Sequence, residues 1–203
     1  AVVREGSGWR LLPTKLTFAG GEASVGGTFG GGATAIEGGV TRMPLAILDI
    51  ASPGLGLGGS ATGQFAYSQG AGAPTGRADL TIRGLSRTGL VLSSKPIDMG
   101  LALALTPDQL GVRAVMASEG KTIGRAQARL APLAGGDLTS RLMNAPLFAQ
   151  VRYNGPADTL WRLTGVEFFD LSGPVGVAAD IGGRLASPTI RGQVVMNGAR
   201  IES

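Results

Sequence analysis

Apolar and polar residues alternate along most of this chain. In "RADLTIRGL" (77–85), Ala78, Leu80 and Ile82 fall on one side, while Arg77, Asp79, Thr81 and Arg83 fall on the other. A period of two sends successive side chains to opposite faces, so the stretch reads as a β-strand with one wet face. "GLALAL" places Leu101, Leu103 and Leu105 together, opposite small residues. "GPVGVAADIG" sets Val175, Val177, Ala179 and Ile181 against Gly176, Ala178 and Asp180. "TKLTF" sets Leu16 and Phe18 against Lys15 and Thr17, and Val25 takes the same place in "GEASVGGTF". In "GRAQARL", Ala126, Ala128 and Leu130 oppose Arg125, Gln127 and Arg129.

The punctuation between these segments is turn or bulge chemistry: Gly20-Gly21, Gly58-Gly59, Pro74-Thr75-Gly76, Asn154-Gly155-Pro156 and Asn197-Gly198. It recurs about every 8 to 12 residues, the rhythm of a meandering antiparallel sheet. In the last stretch, "DIGGRLASPTIRGQVVMNGARIES" (180–203), the spacing predicts two strands with a bulge at Gly182-Gly183 and a turn at Ser187-Pro188. Three segments break the alternation and predict short helices. "TRMPLAILDIASPG" has Pro44 near a start and Pro53 near a stop. "GGDLTSRLMNAP" offers Asp137 as an N-cap. "GPADTLWRLTG" holds one or two turns after Pro156. Trp9-Arg10-Leu11 recurs as Trp161-Arg162-Leu163, each followed by a short strand pattern, "TKLTF" or "GVEFF". That recurrence predicts a repeat boundary near 150–160, with the tryptophans anchoring local cores.

Composition narrows the picture. Of 203 residues, 35 are Gly, against a usual share of about 7%, and aromatics make up only 5%. Mean hydropathy is +0.22, too apolar for a disordered chain. The formal net charge of +4 is spread thinly, with no basic run of the kind that marks a nucleic-acid arm, so no nucleic-acid partner is expected. No apolar run is long enough to span a bilayer as a helix. The chain begins Ala1-Val2-Val3, and it reads as one segment, residues 1–203, of a longer repetitive protein.

Candidate chemistry is sparse. There is no His and no Cys, which removes imidazole bases, Ser-His triads, thiolate nucleophiles and the commonest metal ligands. The carboxylates nearest to converging are Glu167, Asp170 and Asp180, and nothing around them signals the split pKa values that acid–base chemistry needs. "GLGLGGSATG" resembles a phosphate loop only superficially: Ala61 stands where the third glycine would be, and a strand pattern follows. No enzyme, cofactor or metal site is expected.

What remains is physical. Strand after strand carries an aliphatic face, yet the chain lacks the large aromatics that would fill a sandwich core. One solution is a mostly β fold: a curved antiparallel sheet forming a U-shaped, taco-like open groove, with two or three short helices covering ends and edges. Its lining would come from Leu16, Phe18, Val25, Leu80, Ile82, Leu101, Leu103, Leu105, Val175, Val177 and Ile181. Such a groove suits acyl chains, each buried methylene contributing about 0.8 kcal/mol.

Three segments carry a resemblance. "LSGPVGVAADIGGRLASPTIRGQVVMNGARIES" (171–203) resembles the recurring L-x-G-x-(L/V)-x-x-P-x-I-x-G-x-(V/L) pattern of the TamB family, the inner-membrane component of the translocation and assembly module. "MPLAILDIASPGLGLGGSATGQFAYS" (43–68) resembles that family's short helix leading into a glycine-spaced strand, and "NGPADTLWRLTGVEFFDLSGPV" (154–175) is similar to it as well. The resemblance implies an AsmA-like bridge in the periplasm, anchored to the inner membrane by a segment outside this chain. It implies phospholipid acyl chains as cargo and an outer-membrane barrel of the Omp85 family as partner. The alternative reading is a non-enzymatic module that templates client β-strands during outer-membrane protein assembly.

Overall fold

The computed structural model describes residues 1–88, 94–164, 170–198 and 200–202. Strands dominate. In chain order they are β1 (Val2–Glu5), β2 (Gly8–Phe18), β3 (Gly21–Gly30), β4 (Ala33–Pro44), β5 (Leu57–Gln69), β6 (Thr75–Arg87), β7 (Ile97–Leu105), β8 (Leu110–Ser118), β9 (Lys121–Leu130), β10 (Leu147–Pro156), β11 (Asp170–Ser172), β12 (Pro174–Arg184), β13 (Ser187–Met196) and β14 (Arg200–Glu202). A 3-10 helix (Leu45–Ile50) follows β4, α1 (Leu138–Asn144) precedes β10, and α2 (Ala157–Thr164) follows it.

β1 to β10 pair in order, β12 and β13 complete a single 12-stranded sheet, and β11 pairs with β14 in a separate ribbon. Every pairing is antiparallel, as short glycine-rich connections require. The sheet is curved and does not close: among the described residues β1 and β13 are its free edges.

Register shifts fall between Val40 and Met43, Gly58 and Ser60, Ile82 and Leu85, and Met116 and Ala117. These four lie toward the same end of the sheet, while a fifth, between Leu11 and Thr14 of β2, lies toward the other. A bulge bends its strand and increases the local twist, so a line of bulges bends neighbouring strands at one level. The backbone takes φ values of 48° at Arg42, 99° at Gly59 and 64° at Gly84 to make these bends.

Buried side chains gather in two clusters at opposite ends of the strands. At the bulged end, Ile97, Ile123, Tyr153, Ala157 and Val175 form one, with Leu160 and Leu163 of α2 packed against it. At the other end, Leu105, Leu130, Leu133 and Ala145 form the second, with Leu138 and Leu142 of α1 against it. α1 starts where the sequence places its cap: Asp137 accepts a hydrogen bond from the Ser140 N–H at 3.0 Å.

Several local expectations change. Asn154-Gly155-Pro156 is the end of β10, paired with Pro174–Gly176, not a turn. The last hairpin turns at Leu185-Ala186, two residues before Ser187-Pro188, and β12 and β13 pair without a bulge. Pro188 fits inside β13 because that strand is an edge, where a missing N–H costs no ladder bond. Trp9-Arg10-Leu11 lies in β2 and Trp161-Arg162-Leu163 in α2, so the matching tripeptides adopt different structures. Trp9 is 47% exposed and anchors no core. The strand expected over "GVEFF" and the candidate acid Glu167 lie outside the described residues.

Candidate apolar groove

Register decides which residues share a face. Leu16 stands opposite Ala23, and from there a single row runs through Val40, Gly63, Leu80, Leu101, Ala114, Ala126, Val151, Ala179 and Gly192. It crosses from β2 to β13 without a polar side chain. A parallel row holds Val25, Gly38, Phe65, Ala78, Leu103, Val112, Ala128, Ala149, Ile181 and Ile190. Toward the bulged end lies Met43, Ala61, Ile82, Met99, Met116, Gly124, Tyr153, Val177 and Val194. At about 4.8 Å per strand, the central row is roughly 50 Å long.

All the residues expected to line a groove sit on this one face. Leu16, Leu80 and Leu101 are in the central row, and Val25, Leu103 and Ile181 in the next. Ile82 and Val177 are in the row nearer α2, and Phe18 is beyond it, opposite Gly21. Leu105 and Val175 share the face but are taken up in the two end clusters. Sequence reading passed over Val112, Ala114 and Met116, although "LGVRAVMAS" alternates as plainly as β6 does.

Burial varies along the strip. Leu80, Leu101, Leu103, Val112, Ala114, Ala126 and Val151 are half-buried, between two ends filled by helices. Toward the free edges the face opens: Leu16 is 62% exposed and Ile190 is 69% exposed. Over β8 to β10 the floor mixes Ala114, Ala126, Ala128 and Ala149 with Val112 and Val151.

Polar groups hold the rims rather than the floor. At the β6 bulge, Asp98 accepts from the Gly84 N–H at 2.9 Å and from Arg83 Nη1 at 2.8 Å. The Gly84 bond, with Arg83 beside it, holds the Asp98 carboxyl below the usual range. α2 reaches back from β10 to β6: Arg87 Nη1 donates to the Leu163 carbonyl at 3.4 Å and to the Thr164 carbonyl at 3.1 Å. A cation at a helix C-terminus also complements the helix dipole. At the other end of α2, Lys95 Nζ lies 3.5 Å from Asp158. Arg162 pairs with Asp170, joining α2 to the β11–β14 ribbon and lowering the Asp170 pKa. Tyr153 donates to the Pro156 carbonyl at 2.7 Å, and burial pushes its phenol pKa up.

Among the described residues, no group of three or more acidic side chains converges to hold a metal ion, and no helix is long and apolar enough to cross a membrane. The arrangement offers a long apolar strip with no reactive group on it. Its chemistry is that of covering apolar surface. No family model, curated protein or solved structure matches the chain.

Proposed function

We propose that this chain is a segment of a periplasmic lipid conduit, in which phospholipid acyl chains lie along the apolar face on their way between inner and outer membranes. The observation that carries the reading is the unbroken apolar row from Leu16 to Gly192, with Lys15, Asp79, Arg113, Arg125, Arg152 and Asp180 on the other face. Half-buried leucines and valines along a strip tens of ångströms long leave apolar surface to be covered, and each methylene laid on it is worth about 0.8 kcal/mol. A row with no hydrogen-bonding group favours no single position, so a chain can slide along it. The resemblance of 43–68, 154–175 and 171–203 to TamB repeats points the same way. In that setting the membrane anchor and the contact with an Omp85-family barrel belong to the full-length protein.

A second reading is favoured by β13. All 10 of its residues are exposed, and its outer edge has no partner strand among the described residues. A client strand could add there by backbone pairing, with Ile190 and Val194 facing its apolar side.

Titration with a fluorescent fatty acid tests the first reading. Saturable binding by the intact chain, lost in Leu103→Glu with an unchanged circular dichroism spectrum, is the expected result. Equal binding by that variant contradicts it. A photoreactive group at Val194 that captures polypeptide and never acyl chains favours the second reading instead.

A further inference from the structure

The polar face of the same sheet carries a feature that the lipid reading does not use. Where charges meet on this face they are matched: Lys15 with Glu22 at 2.9 Å, Arg83 with Asp98 at 2.8 Å, and Arg152 with Asp180 at 2.8 Å. At Arg77 on β6, and over β8 and β9, the matching stops. Arg77, Arg113, Arg125 and Arg129 form no ion pair with any described residue.

The register brings these cations together. Arg113 stands opposite Gln127, which makes Arg125 and Arg129 its diagonal neighbours on β9, about 7–8 Å away. Like charges at that spacing repel unless something of opposite sign lies among them. Asp79 of β6, two strands from Arg113, is one carboxylate against these four cations, and the next, Asp180 of β12, is already engaged. Gln127 donates to Gln150 at 2.8 Å, Gln150 donates to Asp180 at 3.3 Å, and Asp180 also accepts from Arg152.

The floor between the arginines is made of Ala102, Ala104 and Gly111, so the side chains stand around a hollow rather than on a filled surface. The hollow measures about 650 Å³, with Arg77, Arg113 and Arg129 on its walls and Asp79 as the one carboxylate among the lining residues. That volume lies within the usual range of small-ligand sites, about 300–1,000 Å³. Guanidinium groups present forked donors that match phosphate oxygens in pairs.

We infer that this basin binds a discrete ligand bearing more than one phosphoryl group, held between Arg113, Arg129 and Arg77 on the face opposite the acyl groove. The concavity favours a discrete anion over a flat membrane surface, which would meet Arg113 and Arg129 only at their tips. The site is independent of whether lipid occupies the other face.

Calorimetric titration of the whole chain with inorganic pyrophosphate tests it. The expected result is saturable binding that weakens as salt rises, with affinity reduced roughly tenfold in Arg113→Gln and again in Arg129→Gln. Both residues are exposed, so the variants are expected to keep the wild-type circular dichroism spectrum. Arg4→Gln removes the same charge from the β1 edge and is expected to bind as wild type. No binding of pyrophosphate overturns the inference. So does an equal loss in Arg4→Gln, which marks a net-charge effect. Binding to phosphatidylcholine vesicles doped with phosphatidic acid, without binding to pyrophosphate, also overturns it, since the face then reads a membrane surface.

Discussion

Leu80 on β6 stands directly opposite Leu101 on β7, and on its other side it stands opposite Gly63 of β5. The two leucines sit side by side on the apolar face, while the glycine lets β5 close against β6. A Cβ at Gly63 would lie 2.1 Å from the Asp79 carbonyl oxygen and 2.9 Å from Leu80 Cα. Gly63→Ala therefore forces these strands apart and is expected to cost about 1–3 kcal/mol, read as a lower urea midpoint. An unchanged midpoint contradicts this close approach.

The groove and its ends respond differently to charge. Leu103 is half-buried in the open strip, whereas Leu130 is 5% exposed in the cluster under α1. Leu130→Glu buries a carboxylate among leucines and is expected to destabilise by about 3 kcal/mol or more. Leu103→Glu is expected to leave the chain folded and to abolish acyl binding. If both variants unfold alike, the middle of the strip is ordinary core.

Acid acts on the bulge at Gly84. The Asp98 carboxyl titrates below its ordinary value of about 3.8 in the folded chain, so ionised Asp98 stabilises the fold. That contribution is fully present above the unfolded pKa and is lost as pH falls through the folded one. Asp98→Asn keeps an acceptor for the Gly84 N–H but loses the charge. It is expected to be less stable than wild type by about 1 kcal/mol at neutral pH, a modest figure because the pair is largely solvated. Denaturant midpoints measured against pH should converge for the two proteins below about pH 4. A gap that persists in acid contradicts this role for the charge.

Arg87 ties α2 to β6, and α2 covers one end of the apolar face. Arg87→Leu removes both hydrogen bonds to the helix C-terminus. Amide exchange in 157–164 is expected to accelerate while exchange in β8 and β9 stays the same. Unchanged exchange in α2 shows that packing of Leu160 and Leu163 alone holds it.

Much of this fold is legible in the chain. A period of two in 77–85, 100–105 and 175–181 gives both the strands and their apolar sides, because side-chain direction in a strand follows from backbone geometry alone. Asp137 is legible as a cap because its carboxylate has a local partner, the Ser140 N–H. Register is not legible, and the site depends on it. The row that joins Leu16 to Gly192 and the meeting of Arg113 with Arg125 and Arg129 exist only once the strands are aligned. Trp9 and Trp161 show the limit of local similarity. The same tripeptide extends in β2, within a ladder between β1 and β3, but coils after Pro156, where Leu160 and Leu163 gain a cluster to cover. The final turn is not legible either, because Pro188 punctuates a chain strongly in general yet costs nothing on an edge strand.

The central claim is that the apolar strip carries acyl chains, and organic extraction of the purified chain followed by mass spectrometry tests it most directly. The account predicts phospholipid in the extract of the wild type, in reproducible proportion to protein, and its loss from folded Leu103→Glu. Lipid-free wild-type protein, or equal lipid on both proteins, would contradict it.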